Sequence, residues 1–161
     1  MNTTEIQEIL ARDPATHGVQ VCALNQLPKV IKQRPQLFIV NTQESHRPGK
    51  HWLTLYFPRV GPVECFDSLG RGPRYYHWRL ERYLKKHGGY LVYNRKRYQQ
   101  AGTNTCGQFC LYYAYHRCTG HSIQDIQGDL NSEDLDWNET VVTDFVKDWK
   151  IKEDMNDLSL D

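Results

Sequence analysis

The sequence predicts an α+β domain with a central mixed β-sheet of about five strands and helices on its faces. Short apolar runs separated by turn residues, such as residues 36–41 and 51–57, are typical of strands. A longer apolar block at residues 109–115 follows small polar residues and precedes Gly120, a pattern typical of a capped, buried helix. With 161 residues and no internal repeat or linker, the chain is expected to be a single domain over residues 1–161.

The first half of the chain is predicted to form one helix followed by four strands. The helix begins at the first threonines and ends near Ala11, before an Asp-Pro pair that does not continue a helix. A turn or short helix is expected near residues 27–32, and a polar loop at residues 46–50. The predicted strands are residues 19–24, 36–41, 51–57 and 63–66, and the last two are expected to pair as a hairpin across a Gly-Pro turn.

The second half of the chain is predicted to be mostly helical. Apolar residues at helical spacing indicate a helix over residues 75–86 that ends before Gly88-Gly89. The remaining predicted elements are a short strand at 90–93, the buried helix from Cys106, a short helix at 122–130 and a helix at 140–149. The polar, acidic residues 155–161 are expected to be a frayed tail.

Composition argues against a secreted or membrane-spanning protein. No apolar run approaches the roughly 20 residues that a membrane span needs, and the first residues lack the basic and apolar pattern of a secretory signal. Five cysteines are an odd number and too sparse for a disulfide scaffold, so we interpret them as reduced thiols of an intracellular protein. A monomer without membrane contact is expected.

The formal net charge of +1 hides an uneven distribution of charge. Residues 71–98 contain nine Lys or Arg and one Glu, whereas residues 125–161 contain twelve acidic residues and three lysines. The basic region could bind DNA or an acidic partner, could pair with the acidic region, or could simply be a solvated face.

Cys106 is the candidate nucleophile because it falls in the first turn of the buried helix. A thiol at this position is close to unpaired backbone N–H groups and to the positive end of the helix dipole, which favour the reactive thiolate. The alternative is a buried structural thiol, and Cys110 is the substitute nucleophile if the helix begins later. Cys106, Cys110 and three downstream His or Cys residues could also be metal ligands, but they have no second ligand pair, so no metal site is predicted.

The other candidate catalytic residues lie at strand ends. His51 begins one strand of the hairpin and Asp67 follows the other, so Asp67 can orient the imidazole as a base for the thiol. Asp67 could instead cap the turn that follows it. Gln100 is the preferred side-chain donor for an oxyanion, and Gln99 competes for that role.

These residues occur in motifs that resemble those of the adenovirus proteinase (adenain) family of cysteine proteases. The motifs are G-K-H51-W, then C-F-D67-S-L-G, then Q100-x5-C106-G-x-F-C, and GVQVCALNQLP upstream is similar to the first strand and turn of that family. The resemblance extends over about residues 18–118. The adenain family is itself related in fold to the SUMO- and ubiquitin-like-specific proteases. The resemblance implies an adenain-like fold in which the nucleophile begins a buried central helix.

The resemblance also implies a function. It suggests a cysteine endopeptidase with His51, Asp67, Gln100 and Cys106 as site residues. The expected substrates are viral precursor proteins, cleaved near glycine during virion maturation. The expected location is the host nucleus or cytoplasm and the virion. No cofactor is required by the sequence. The resemblance implies activation by DNA or by a peptide, but without the disulfide link of the adenovirus enzymes, because the segment before Gln100 in which those enzymes accept the peptide contains no cysteine here. The alternatives are a deconjugase of ubiquitin-like modifiers and an inactive basic DNA- or protein-binding module.

Overall fold

The computed structural model describes residues 1–43 and 51–158. The polar loop predicted at residues 46–50, including Gly49 and Lys50 of the first motif, lies outside the described residues. The same holds for residues 159–161 of the predicted tail.

The predicted mixed sheet is confirmed, with five strands in the order in which they occur in the chain. The two outer pairs of neighbouring strands are parallel and the two inner pairs are antiparallel. The hairpin predicted across the Gly-Pro turn is the inner antiparallel pair formed by residues 52–57 and 63–66. The strands are β1 (Gln20–Ala23), β2 (Gln36–Asn41), β3 (Trp52–Phe57), β4 (Val63–Phe66) and β5 (Leu91–Tyr93).

Six α-helices occur in the described part of the chain, and two predicted helices differ from those observed. The helix predicted over 75–86 is divided at His77, whose extended backbone (φ −159°) ends one helix and whose Nδ1 accepts the Arg79 N–H to cap the next. The last helix begins before residue 140 and continues through Leu158, into the predicted tail. The helices are α1 (Thr3–Arg12), α2 (Pro73–Tyr76), α3 (Trp78–Gly88), α4 (Cys106–Cys118), α5 (Ile123–Asp129) and α6 (Leu135–Leu158).

The sheet separates two apolar layers, because successive side chains of a strand point to opposite faces. On β2, Leu37 and Ile39 pack in a cluster with residues of α1, α4 and α6. Their neighbours Phe38 and Val40 pack on the other face, with Leu80 and Leu84 of α3. The helix α4 is therefore buried between the sheet and α6, with its middle residues fully covered. None of the described helices is both long and apolar enough to span a membrane.

Candidate active site

The nucleophile candidate Cys106 is the first residue of α4, as predicted. The loop before it is held from α6, where Glu139 Oε1 accepts the Gln100 N–H (2.9 Å) and the Thr103 hydroxyl (2.9 Å). The thiol interacts with the His51 side chain and with the backbone N–H groups of Trp52 and Gly107. Packing of α4 on the sheet thus brings the first turn of the helix against the start of β3.

His51 and Asp67 lie side by side at the edge of the hairpin. His51 immediately precedes β3 and Asp67 immediately follows β4, so the antiparallel pairing of these strands brings the two residues together. The His51 Nε2–Asp67 Oδ1 distance is 2.7 Å, and both side chains are buried. With Nε2 bonded to the carboxylate, Nδ1 is the imidazole nitrogen that is left to interact with the Cys106 thiol.

Asp67 is held as a carboxylate by several donors besides His51. The backbone N–H of Leu69 donates to Oδ1 (2.9 Å) and that of Arg71 donates to Oδ2 (2.9 Å). These bonds form because the chain turns sharply after β4, with Gly70 at φ +69°, where a Cβ would lie 2.7 Å from the Lys96 carbonyl oxygen. Asp67 therefore both orients the imidazole and caps the following turn, the two roles that sequence reasoning treated as alternatives.

Tyr76 is a site residue that the sequence analysis placed only within the helix predicted over residues 75–86. Its hydroxyl donates to Asp67 Oδ2 at 2.7 Å. Its ring stacks on the imidazole of His51, with centroids 5.3 Å apart and an interplanar angle of 15°. Trp52 packs in the apolar layer and donates its indole N–H to the Met1 carbonyl oxygen (3.2 Å). The His51 ring is thus covered by Tyr76.

The electrostatics of the three residues favour a thiolate–imidazolium pair. Burial disfavours charge on His51, but hydrogen bonds to Asp67 and Cys106 and the attraction of both outweigh it and raise the pKa of His51 to about 9. Burial likewise opposes a charged thiol, yet His51 and the two backbone donors lower the pKa of Cys106. The pKa of Asp67 is also lowered: burial opposes its charge, and the bonds from His51 and Tyr76 prevail. These shifts favour the pair of a negative sulfur and a positive imidazole over the neutral pair.

The two adjacent glutamines have different surroundings. Gln100, the preferred oxyanion donor, turns its side chain away to donate to Asp136 of α6, and it does not line the cavity around Cys106. Gln99 is buried and lines that cavity. Its Oε1 accepts the Ser68 hydroxyl (2.6 Å) and its Nε2 donates to the Thr103 carbonyl oxygen (3.0 Å), so the amide is fixed. The structure brings Gln99, and not Gln100, to the other three residues.

His51 and Cys106 open into a cavity of about 760 Å³. Its walls include residues 1–3, which the sequence analysis treated only as the start of a helix. Asn2 caps α1 in a reciprocal bond with Glu5, and this fixes the segment beside the site. No sequence signal pointed to this placement, because it depends on the docking of α1 against α4. The described residues that line the cavity are Met1, Asn2, Thr3, Asn41, Thr42, Gln43, His51, Trp52, Leu69, Arg71, Tyr75, Tyr76, Gln99, Gly102, Thr103, Asn104 and Cys106.

The other cysteines differ from Cys106 in their surroundings. Cys110 and Cys65 are fully buried, and burial raises the pKa of each thiol. All five cysteines are free. Within residues 1–43 and 51–158, no group of three or more His, Cys, Asp or Glu side chains is arranged to hold a metal ion. Cys106 is therefore set apart by its contact with an imidazolium.

Comparison with solved structures shows a likeness to the ASFV pS273R protease, whereas no family model and no curated protein matches the chain. One crystal structure of that protease is 16% identical, with a TM-score of 0.50, over 78% of this chain and 60% of that one. A second structure of it, containing selenomethionine, is 19% identical over 78% and 61% of the two chains, with a TM-score of 0.49. The chain thus spans about 60% of the length of that protease. At such identities the likeness concerns the fold alone: the chain has an α+β fold similar to that of the ASFV pS273R protease.

Proposed function

We propose that this chain is a cysteine endopeptidase whose nucleophile is the Cys106 thiolate. The observation that carries the proposal is the buried His51–Asp67 bond of 2.7 Å next to a thiol at the start of a helix, all at the wall of one cavity. A thiol with only a structural role does not require a buried imidazole beside it. An imidazole with only a structural role does not require a carboxylate that is held by three further donors, the N–H groups of Leu69 and Arg71 and the Tyr76 hydroxyl.

The same geometry supports a two-step acyl transfer. The thiolate attacks the scissile carbonyl carbon, a carbon–sulfur bond forms, and the carbonyl electron pair moves to oxygen. The His51 imidazolium gives its proton to the leaving nitrogen as the carbon–nitrogen bond breaks. His51 then takes a proton from water, which attacks the thioester and restores the thiolate. Asp67 holds the ring and stabilises its positive charge throughout.

Gln99 is proposed as the side-chain donor that stabilises the oxyanion, together with backbone N–H groups in the first turn of α4. Gln99 lines the cavity, and its amide is held rigid by Ser68 and Thr103; a fixed donor is what electrostatic stabilisation of a developing negative charge requires. We expect Gln99→Ala to lower kcat by about 10²-fold. Gln100→Ala is the matched control and should leave kcat within about twofold of the wild type, because its side chain is bonded to Asp136.

The finer specificity is part of the same proposal. Cleavage near glycine in viral precursor proteins, in the host nucleus or cytoplasm and the virion, is supported by the motif resemblance described above. Activation by DNA through residues 71–98, or by a peptide without a disulfide link, is supported by the basic character of that region and by the family resemblance. Each would be tested by adding duplex DNA, or a candidate peptide, to the cleavage assay.

Cleavage of a peptide library with glycine at varied positions tests the proposal. Wild-type protein should release new amino termini, and Cys106→Ser should abolish release. Cys110→Ser, one helical turn deeper, should retain it because that thiol lies in the apolar layer. Equal cleavage by wild type and Cys106→Ser would refute the proposal. If the wild-type protein cleaved only a fusion to a folded ubiquitin-like protein, and none of the peptides, the chain would be a deconjugase and not an endopeptidase.

A further inference from the structure

Two cavities meet at Arg71 and Tyr75. These residues line the 760 Å³ cavity that contains Cys106, and they also line a second cavity of about 320 Å³. The remaining lining of the second cavity comes from Gly72, Pro73, Arg74, Glu81 and Tyr93. A polypeptide that extends from the catalytic cavity into the second one therefore passes the side chain of Arg71.

Arg71 is held in a defined position at this junction. Its backbone N–H donates to Asp67 Oδ2 at 2.9 Å, so its Cα is fixed relative to the catalytic residues. Its guanidinium carbon lies 4.5 Å from the centroid of the Tyr75 ring. Stacking on an aromatic ring leaves the edge of the guanidinium, with its N–H donors, free to bind a carboxylate in a bidentate manner.

Arg71 also dominates the charge at the junction. The described residues that line the catalytic cavity include no Asp or Glu, and Arg71 is the one Lys or Arg among them. In the second cavity, Arg74 is already paired with Glu81 (3.3 Å), which Lys85 also contacts (2.9 Å). Arg71 makes no ion pair with another described residue.

From this arrangement we infer that Arg71, supported by Tyr75, is a subsite that binds an acidic side chain of the polypeptide substrate. The inference rests on the proposed endopeptidase function and deepens it, because it names the class of substrate. Nucleic acid fits the junction less well. A phosphate backbone carries a charge at every nucleotide, whereas Arg71 is the one Lys or Arg among the described residues that line the catalytic cavity, and Arg74 in the second cavity is already paired with Glu81.

The test measures binding separately from cleavage. In the Cys106→Ala protein, amide chemical shifts are followed during titration with eight-residue Gly/Ala peptides that carry one Glu at a varied position, each compared with its Gln counterpart. At one position, we expect Gln to weaken binding by about fivefold at low salt, with a smaller difference at high salt. Arg71→Gln should remove this difference while leaving the backbone donor to Asp67 in place.

Arg79→Gln is the matched control. Arg79 is also exposed and lies 4.6 Å over an aromatic ring, that of Trp78, but it lines neither cavity. Its substitution should leave the Glu preference unchanged.

Several results would overturn the inference: equal affinity for Glu and Gln peptides at every position, or a Glu preference that survives Arg71→Gln. A third is tighter binding of an oligothymidylate than of any acidic peptide, weakened equally by Arg71→Gln and Arg79→Gln, which would make the region a nucleic-acid face. If the Glu preference holds but the wild-type protein cleaves none of these peptides, the subsite stands and the endopeptidase proposal fails.

Discussion

The hydroxyl of Tyr76 offers a sharp test of how Asp67 is held. Tyr76→Phe removes the 2.7 Å bond to Oδ2 and keeps the ring that stacks on His51. A hydrogen bond to a charged group contributes about 1.5–3 kcal/mol, and since Tyr76 is half-buried we expect a loss of about 1–2 kcal/mol in the free energy of unfolding at pH 7. Because Asp67 orients the base, kcat/KM should also fall about fivefold.

The pH dependence of this loss identifies its source. The folded-state pKa of Asp67 is lowered, so the stability that its partners provide is fully present above the unfolded pKa of about 3.9 and is lost as pH falls through the folded value. Removal of one donor brings the folded pKa back toward the usual value. The stability difference between wild type and Tyr76→Phe should therefore be largest at neutral pH and should shrink in strong acid.

Urea unfolding at several pH values, with peptide cleavage at pH 7, measures both effects. Tyr83→Phe is the matched control, because its hydroxyl is also bonded, at 2.6 Å, but to the neutral Pro28 carbonyl oxygen far from the site. That variant should lose about 1 kcal/mol with no change in activity. A Tyr76→Phe protein with wild-type stability and activity, or with a loss that does not depend on pH, would refute the reasoning.

Three further predictions concern the titration of the site, the turn after β4 and a buried ion pair. Since the pKa of Cys106 is lowered and that of His51 is raised, alkylation of Cys106 by iodoacetamide should slow less between pH 8 and pH 6 than alkylation of a free thiol, whose rate falls about tenfold for each unit by which the pH falls. Gly70→Ala should destabilise the fold by about 1–3 kcal/mol in urea unfolding and slow peptide cleavage, because it strains the turn that holds Asp67. Arg117→Met should cost about 3 kcal/mol in the same unfolding assay, because it leaves the buried Glu64 carboxylate without the cation 2.9 Å away.

Each of these predictions has its own contrary result. A tenfold decline in Cys106 alkylation per pH unit below 8 would contradict the ion pair. Unchanged activity in Gly70→Ala would show that the turn does not position Asp67. An Arg117→Met variant with the same free energy of unfolding as the wild type would indicate that Glu64 is protonated or hydrated in the fold.

The sequence predicted those parts of the site that regular structure positions. Cys106 could be found because a capped apolar helix has a distinctive pattern, and the pairing of His51 with Asp67 followed from the geometry of a hairpin. The sheet and its helices were predictable for the same reason, since each strand is a short apolar run between turn residues.

The remaining parts depend on contacts distant in the chain. The side-chain directions of Gln99 and Gln100 are set by Ser68 on one side and by Asp136 on the other, in a loop without a regular period, so spacing alone favoured the residue that turns away. Tyr76 matches the apolar spacing of a helix face in the sequence. The helix break at His77 and the hydrogen bond from Tyr76 to Asp67 are visible only in the structure.

The charge state of His51 is the central claim of this account, and nitrogen-15 NMR of histidine-labelled protein measures it directly. We predict a protonated ring at pH 7.5 that titrates with a pKa of about 9 in the wild type, and a lower pKa in Cys106→Ala, where the negative partner is missing. Because this folded pKa lies above the unfolded value, the associated stability is present below about pH 6.5 and is lost as pH rises through about 9. A His51 ring that is neutral at pH 7.5, or that titrates identically in Cys106→Ala, would contradict the thiolate–imidazolium pair on which the proposed function rests.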